Sequence, residues 1–164
     1  MKSKTLFLFT FLLTFHLSCS QELSDDQLRK IRLGTWQQVE KQEDRLLKLT
    51  TTYRSDGTST LISENEIYEI GKYRRKSECT WKIEDGNFYE QTVSANLESI
   101  SGSSEFVKFY KNYFEKLKCH GMVCQIKVSN NNKTITLFKP PTEKHEGYEY
   151  VSNKVTPEEV ANPK

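Results

Sequence analysis

The residues best suited to chemistry in this chain are two cysteines and a histidine that lie close together near position 120. Cys119 and His120 are adjacent, and Cys124 lies four positions beyond the histidine. Thiolate and imidazole groups bind metals such as zinc, but a tetrahedral site needs a fourth ligand, and His145 is distant in the sequence. A nucleophilic Cys–His pair depends on approach through the fold rather than on adjacency. A disulfide around a short loop is the other interpretation of this spacing.

The chain lacks the short motifs of several large enzyme classes. It contains no G-x-S-x-G, Walker or dinucleotide-binding glycine pattern. Carboxylates are plentiful, but no spacing marks two of them as an acid–base pair. We therefore predict a protein that is not an enzyme, with no catalytic residue, no metal site and no cofactor.

The densest run of basic residues is Arg74, Arg75 and Lys76. Such a run is either a solvated strand end or a contact for an anion or a partner protein. If the protein acts through a partner, we expect this run or His120 to form part of the contact.

Residues 1–20 have the pattern of an export signal. Lys2 and Lys4 precede an apolar run over residues 5–15, and small residues follow it. The run is about half of the roughly 20 residues that a membrane-spanning helix needs. We predict an exported protein, located in the periplasm, at the cell surface or outside the cell.

The end of this segment fits two kinds of processing. Ser18 and Ser20 suit a small-x-small cleavage site, which would remove Cys19 with the signal. Ser18-Cys19 also resembles the end of a bacterial lipoprotein signal, and this resemblance implies that Cys19 is lipidated. A lipid on Cys19 would then be the predicted contact with a membrane.

Export places the remaining cysteines in an oxidising environment. The chain has four cysteines, and either treatment of Cys19 leaves an odd number available for pairing. We predict a disulfide between Cys119 and Cys124, because the loop between them is short. Cys79 is then predicted to be a buried free thiol.

The charge balance argues against nucleic acid as a partner. The chain has 24 basic and 22 acidic residues, so removing Lys2 and Lys4 makes the two classes equal. A protein that binds nucleic acid without sequence preference needs a surplus of cations. Length and pattern predict one domain over residues 21–155 and a flexible tail over residues 156–164.

Two segments predict helices. Ser24 and Gln27 form a capping box at the start of the first, and Gly34 ends it. The second spans residues 103–118 and has an apolar stripe at helical spacing. This stripe consists of Phe106, Phe109, Tyr110, Tyr113, Phe114 and Leu117.

The rest of the chain predicts antiparallel strands. Asp56-Gly57 and Asp85-Gly86 are signals for tight hairpin turns. Alternation places Leu47, Leu49, Thr51 and Tyr53 on one face before the first turn, and Cys79, Trp81 and Ile83 on one face before the second. Further strands are predicted over residues 122–129, 133–139 and 147–154.

The order of these features resembles that of the lipocalins and of small exported lipocalin-like proteins. In those proteins a short helix precedes a Gly-x-Trp step, which residues 34–36 match. An aromatic-x-x-Asp-Gly-Thr step at residues 53–58 and a Trp followed by Asp-Gly at residues 81–86 resemble two later steps. The usual arginine over the motif Trp is missing from the last strand, where Lys154 is the available cation.

The resemblance implies a mainly β fold, an antiparallel barrel of about eight strands with one amphipathic helix packed against it. It also implies that Trp36 closes one end. We predict an extracytoplasmic protein that binds a small hydrophobic molecule inside the barrel through the aromatic residues Tyr53, Tyr73, Trp81 and Tyr89. The alternative is an interaction protein, such as an inhibitor or assembly factor of an exported protein, whose barrel is filled with side chains.

Overall fold

Eight antiparallel strands form a closed barrel in the computed structural model, which describes residues 23–116, 121–129, 131–141 and 146–161. Each strand pairs with its neighbours in the sequence, and β1 pairs with β8 to close the barrel. The strands are β1 Gly34–Lys41, β2 Arg45–Tyr53, β3 Thr58–Ile67, β4 Gly71–Glu84, β5 Asn87–Gly102, β6 Gly121–Val128, β7 Thr134–Lys139 and β8 Tyr148–Val155. The helices are α1 Asp25–Arg32, α2 Ser104–Lys116 and α3 Pro157–Ala161. The predicted fold class is therefore confirmed.

Helix α1 begins at the predicted capping box. The Gln27 amide donates to Ser24 Oγ at 3.3 Å, and the Ser24 amide donates to Gln27 Oε1 at 2.9 Å. The helix ends at Arg32 with Leu33 as its C-cap, and Gly34 then takes a φ of 106° that favours glycine. This sharp change of direction lets β1 start directly after the helix.

The first helix covers the closed end of the barrel, where the predicted hairpin turns lie. Asp85 and Gly86 have φ values of 52° and 71°, as a tight two-residue hairpin turn requires. The carboxylate of Asp25 accepts hydrogen bonds from both of their amides, at 2.9 and 3.0 Å. Arg29 Nη2 also donates to the Ile83 carbonyl at 2.6 Å, so hydrogen bonds join the helix both to β4 and to the turn that follows it.

Strand alternation sends one residue of every two into the barrel. In β2 and β4 the inward residues are those that the sequence predicted, from Leu47 to Tyr53 and from Cys79 to Ile83. The core lies toward the closed end, where Ile83, Phe88 and Ile135 are completely buried. The barrel is therefore packed solid near α1 and more open toward the other end, the mouth.

Helix α2 connects β5 to β6 and lies across the mouth. The ring of Tyr73 in β4 contacts the rings of Tyr110 and Phe114, with centroids 4.8 and 4.9 Å apart. Phe106 is buried next to Gly71, where an added Cβ would lie 2.6 Å from the phenylalanine ring. The predicted amphipathic helix therefore packs against the barrel through Phe106, Tyr110 and Phe114, whereas Phe109 and Tyr113 of the predicted stripe are exposed. Residues 117–118 of that prediction lie outside the described residues.

The end of the chain adds one short element. Within the segment predicted as a tail, α3 spans Pro157–Ala161. Thr156 caps this helix, since its Oγ1 accepts a hydrogen bond from the Glu159 amide at 3.3 Å.

Candidate functional site

The barrel surrounds a cavity of about 310 Å³ that lies between the packed core and the mouth and is partly open to solvent. Its walls come from all eight strands, and Arg32 of α1 reaches it from the closed end. Its lining consists of Arg32, Trp36, Gln38, Leu47, Leu49, Thr51, Tyr53, Leu61, Cys79, Glu90, Thr92, Gly121, Met122, Leu137, Tyr150 and Ser152. The interior is therefore not filled with side chains. The alternative prediction, an interaction protein, requires a filled interior.

The walls of the cavity are mostly apolar. Leu47 and Leu49 project from β2, Leu61 from the neighbouring β3, and Met122 and Leu137 from the opposite side. Alternation along each strand turns these residues inward, and each lies opposite another inward residue of the neighbouring strand. The cavity can therefore hold an apolar group.

Trp36 lies at the closed end, as the resemblance implies for the Gly-x-Trp motif. Its side chain is 1% exposed, and its Nε1 donates to the Arg32 carbonyl at 2.7 Å. The Arg32 guanidinium and the Lys154 ammonium each lie 5.5 Å from the centre of its ring. Lys154 thus takes the place of the arginine that is missing from the last strand, and α1 supplies a second cation.

Three polar residues, Arg32, Tyr53 and Glu90, form the floor of the cavity, and the buried Ser59 lies beside Glu90. Arg32 Nη2 donates to the Tyr53 hydroxyl at 2.6 Å, and Ser59 Oγ donates to Glu90 Oε1 at 2.9 Å. Burial raises the pKa of Tyr53 above its ordinary value, although the positive charge of Arg32 opposes this shift. Burial also raises the pKa of Glu90, and the hydrogen bond from Ser59 and the charge of Arg32 oppose that shift.

We expect the substitution Glu90→Gln to change how stability depends on pH. Because the pKa of Glu90 is raised in the fold, its contribution to stability is fully present below the ordinary value of 4.5 and is lost as the pH rises through the folded value. The neutral amide does not ionise, so the variant should gain stability relative to the wild type as the pH rises. Urea denaturation of both proteins at acidic, neutral and mildly alkaline pH measures this.

The matched control for that measurement is Glu66→Gln, because Glu66 is exposed. This variant should follow the wild-type pH dependence. A constant difference between Glu90→Gln and the wild type over the whole range would contradict the unfavourable burial of the Glu90 charge.

The structure places the four predicted ligand-binding aromatics at different levels of the barrel. Tyr53 lines the cavity, and Trp81 lies below it, with its ring edge-on to Tyr53 at 5.4 Å and its Nε1 bonded to the Thr58 carbonyl at 2.9 Å. Tyr73 lies at the mouth under α2. Tyr89 is on the outer surface, where the Lys82 ammonium lies 5.0 Å from its ring. The alternation that sends Phe88 and Glu90 inward turns Tyr89 outward, so it does not join the others.

Sequence reasoning missed two charged residues of the cavity, Arg32 and Glu90. Arg32 lies four positions after the buried Leu28, so helical spacing places both on one face of α1. Glu90 alternates with Phe88 and Thr92 in β5. Helical spacing for Arg32 and strand alternation for Glu90 both indicate an inward position. A charged side chain is not expected at such a position.

The predicted disulfide is not present in the structure. Cys124 is a free, buried thiol whose Sγ lies 3.7 Å from the Tyr148 hydroxyl, inside the barrel. Its inward direction follows from pairing with Phe88 across β5 and β6. Cys119 lies outside the described residues, and no disulfide forms among those that are described. The prediction of Cys79 as a buried free thiol is confirmed.

The basic run is divided between the two faces of β4. Arg74 forms ion pairs with Glu64 at 2.6 Å and Glu98 at 2.8 Å, and Lys76 pairs with Glu78 at 3.0 Å. Arg75 turns inward, and its guanidinium lies 5.5 Å from the centre of the Phe114 ring of α2. Acidic neighbours therefore offset the outward charges of this run.

Several candidates from the sequence lie outside the described residues, namely Cys19, His120 and His145. Over the ranges that are described, no group of three or more His, Cys, Asp or Glu side chains could hold a metal ion. None of the helices in those ranges combines the length and the apolar character that crossing a membrane requires.

Comparison with known proteins leaves the function to be argued from this geometry. No protein-family model matches the chain, and no curated protein matches it either.

Proposed function

We propose that this chain is an extracytoplasmic, non-enzymatic lipocalin-like protein that binds a small hydrophobic molecule inside its barrel. The observation that carries the proposal is the cavity of about 310 Å³ surrounded by the strands. This volume corresponds to the space of on the order of ten waters in the liquid. It also falls at the lower end of the range of small-molecule sites, about 300–1,000 Å³.

The composition of the walls supports an apolar ligand. Water inside a cavity is stable where it has several polar partners, and the leucine side chains of β2 and β3 offer none. Displacing that water with an apolar group removes both the ligand surface and the leucine surface from solvent. Binding by this route needs no rearrangement of the walls.

Two potential nucleophiles at the cavity, the Tyr53 hydroxyl and the Cys79 thiol, favour binding over catalysis. Burial raises the pKa of the Tyr53 hydroxyl and of the Cys79 thiol. Both therefore stay protonated at neutral pH, whereas a nucleophile or general base must be deprotonated. The protonated state of these two groups supports the proposal of a carrier rather than an enzyme that uses either of them as a nucleophile.

The position of α2 supports a ligand that enters and leaves through the mouth. The helix covers the mouth with aromatic side chains that pack on Tyr73 and Arg75. A ligand that enters through the mouth passes beside these rings, so we expect α2 to move during binding. The export signal over residues 1–20 supports placing this activity outside the cytoplasm.

Native mass spectrometry and displacement of a fluorescent fatty acid test the proposal directly. We expect the exported protein either to carry a bound small molecule or to bind the fluorescent probe and release it to unlabelled competitors. The absence of both a bound and a displaceable molecule would refute the proposed function.

A cavity-filling substitution tests whether the ligand occupies the barrel. Leu61→Trp places an indole in the cavity, and we expect the affinity for the fluorescent fatty acid to fall by tenfold or more, on the order of 1.4 kcal/mol. The matched control is Val39→Trp in β1, because Val39 is 55% exposed on the outer face. Equal affinity of the two variants for the probe would show that binding occurs elsewhere.

A further inference from the structure

The most unusual side chain of the cavity is Arg32, a cation on its floor. Arg32 is 2% exposed, and its Nη2 donates to the Tyr53 hydroxyl at 2.6 Å. Its Nε and Nη1 are buried and have no hydrogen-bond partner among the described residues. Buried polar groups are normally paired, so these N–H groups require an explanation.

The charge of Arg32 makes the missing partners more significant. A guanidinium keeps its charge in proteins, so it cannot escape the cost of burial by losing a proton. The rings of Tyr53 and Phe88 lie 4.1 and 4.9 Å from its central carbon and offset part of this cost. Ring faces do not accept the in-plane N–H groups, however, and no carboxylate of the described ranges forms an ion pair with Arg32.

The polarity of the cavity above Arg32 matches that of an amphipathic ligand. Moving from the mouth toward the closed end, the inward residues of β2 are Leu47, Leu49, Thr51 and Tyr53, so the wall changes from apolar to polar. A molecule with one apolar and one polar end matches this gradient when its polar end points down. The planar guanidinium at the bottom suits the geometry and charge of a carboxylate.

We propose that the cavity binds an amphipathic carboxylic acid whose carboxylate is held by Arg32 at the floor. This inference rests on the proposed ligand-binding function and adds the chemical class of the ligand. The apolar chain lies between the leucine walls and ends near α2.

The other charged group of the floor, Glu90, is compatible with this ligand. Its Oε1 already accepts a hydrogen bond from Ser59 Oγ at 2.9 Å, so one carboxyl oxygen is committed. Burial raises the pKa of Glu90, which lowers its negative charge at a given pH and so reduces its repulsion of a ligand carboxylate.

A series of head groups on one chain length tests the proposal with the wild-type protein. The probes are dodecanoate, 1-dodecanol and dodecylamine, each used to displace the fluorescent fatty acid. We expect dodecanoate to bind roughly tenfold to a hundredfold more tightly than dodecanol, since its head group makes charge-assisted hydrogen bonds. Dodecylamine should bind most weakly, because its cation lies beside the Arg32 cation.

A substitution then assigns the preference to Arg32. Arg32→Met keeps an unbranched side chain but has no N–H groups, so the advantage of dodecanoate over dodecanol should disappear while dodecanol still binds. The matched control is Lys154→Met, which removes the other cation beside Trp36 from an exposed position outside the cavity lining. This control should keep the wild-type preference.

The outcomes separate the inference from the function on which it rests. If dodecanol binds as tightly as dodecanoate, or if dodecylamine binds best, the carboxylate assignment is wrong and the ligand-binding function stands. An unchanged preference in Arg32→Met would also overturn the assignment. If none of the three probes displaces the fluorescent fatty acid and none binds on its own, the proposed function itself fails. Should Arg32→Met not fold, the wild-type series alone decides the question.

Discussion

The substitution Trp36→Ala is expected to lower the free energy of unfolding by about 3–5 kcal/mol, the range for removing a large buried aromatic side chain. Trp36 is 1% exposed and lies where α1, β1 and β8 meet. Its removal opens a cavity at the closed end and leaves the Arg32 carbonyl without its 2.7 Å hydrogen bond. Chemical denaturation followed by far-UV circular dichroism measures the loss.

Two further variants separate the contributions of Trp36. Trp36→Phe keeps a ring but has no Nε1–H, so it should cost about 1–3 kcal/mol for the unsatisfied buried carbonyl. Val39→Ala on the same strand is the control, because Val39 is 55% exposed and surface changes stay within about 0.5 kcal/mol. A loss for Trp36→Ala no larger than that of the control would contradict the assignment of Trp36 as the residue that closes the barrel.

A second large effect is expected from Gly102→Ala at the mouth of the barrel. Gly102 ends β5 opposite Gly71 and has a φ of 138°, a conformation that other residues rarely adopt. An added Cβ would meet the Ile70 carbonyl oxygen and would lie 2.5 Å from the Gly71 Cα, so backbone atoms must shift. Strain and crowding together should cost about 2–4 kcal/mol. Thermal and urea denaturation measure this loss.

The control for Gly102→Ala is Gly86→Ala in the hairpin turn at the other end. Gly86 also has a positive φ, of 71°, but an added Cβ would have no neighbour within 4 Å. Its cost is therefore limited to backbone strain, about 1 kcal/mol. If both variants lose equal stability, then crowding at the Gly71–Gly102 pair does not contribute. A larger loss for Gly102→Ala is the expected result, because only there does the added Cβ crowd backbone atoms. The close approach of Gly71 and Gly102 also lies directly before α2.

Local signals in the sequence predicted most of the fold. The capping box at Ser24 and Gln27 and the turn at Asp85-Gly86 depend on residues within a few positions, so their chemistry can be assigned without the rest of the chain. The alternation in β2 and β4 gave the inward faces for the same reason. Closure of the barrel could not be predicted from local signals, because the pairing of β1 with β8 joins the two ends of the domain. The family resemblance supplied that expectation.

The candidate site was predicted less well, since a site depends on which side chains meet in space. Tyr53 was placed in the cavity by alternation, but the same rule applied to Tyr89 would have turned it outward. Arg32 was missed because the helical pattern indicates a buried position there, whereas an arginine is normally expected at an exposed one. The disulfide prediction relied on the short loop, whereas the inward direction of Cys124 comes from its strand register.

The short seam between β1 and β8 has a consequence for how the barrel opens. Three residue pairs join these strands, with Thr35, Trp36 and Gln37 opposite Val155, Lys154 and Asn153, while β3 and β4 share ten. The seam also joins residues that are far apart in the sequence, so its closure is the most costly in chain entropy and is expected late in folding. Amide hydrogens of β8 that face β1 should therefore exchange with solvent sooner than those of β3 and β4. Trp36 lies in this seam, and its fluorescence would report the opening of the barrel before the sheet itself unfolds.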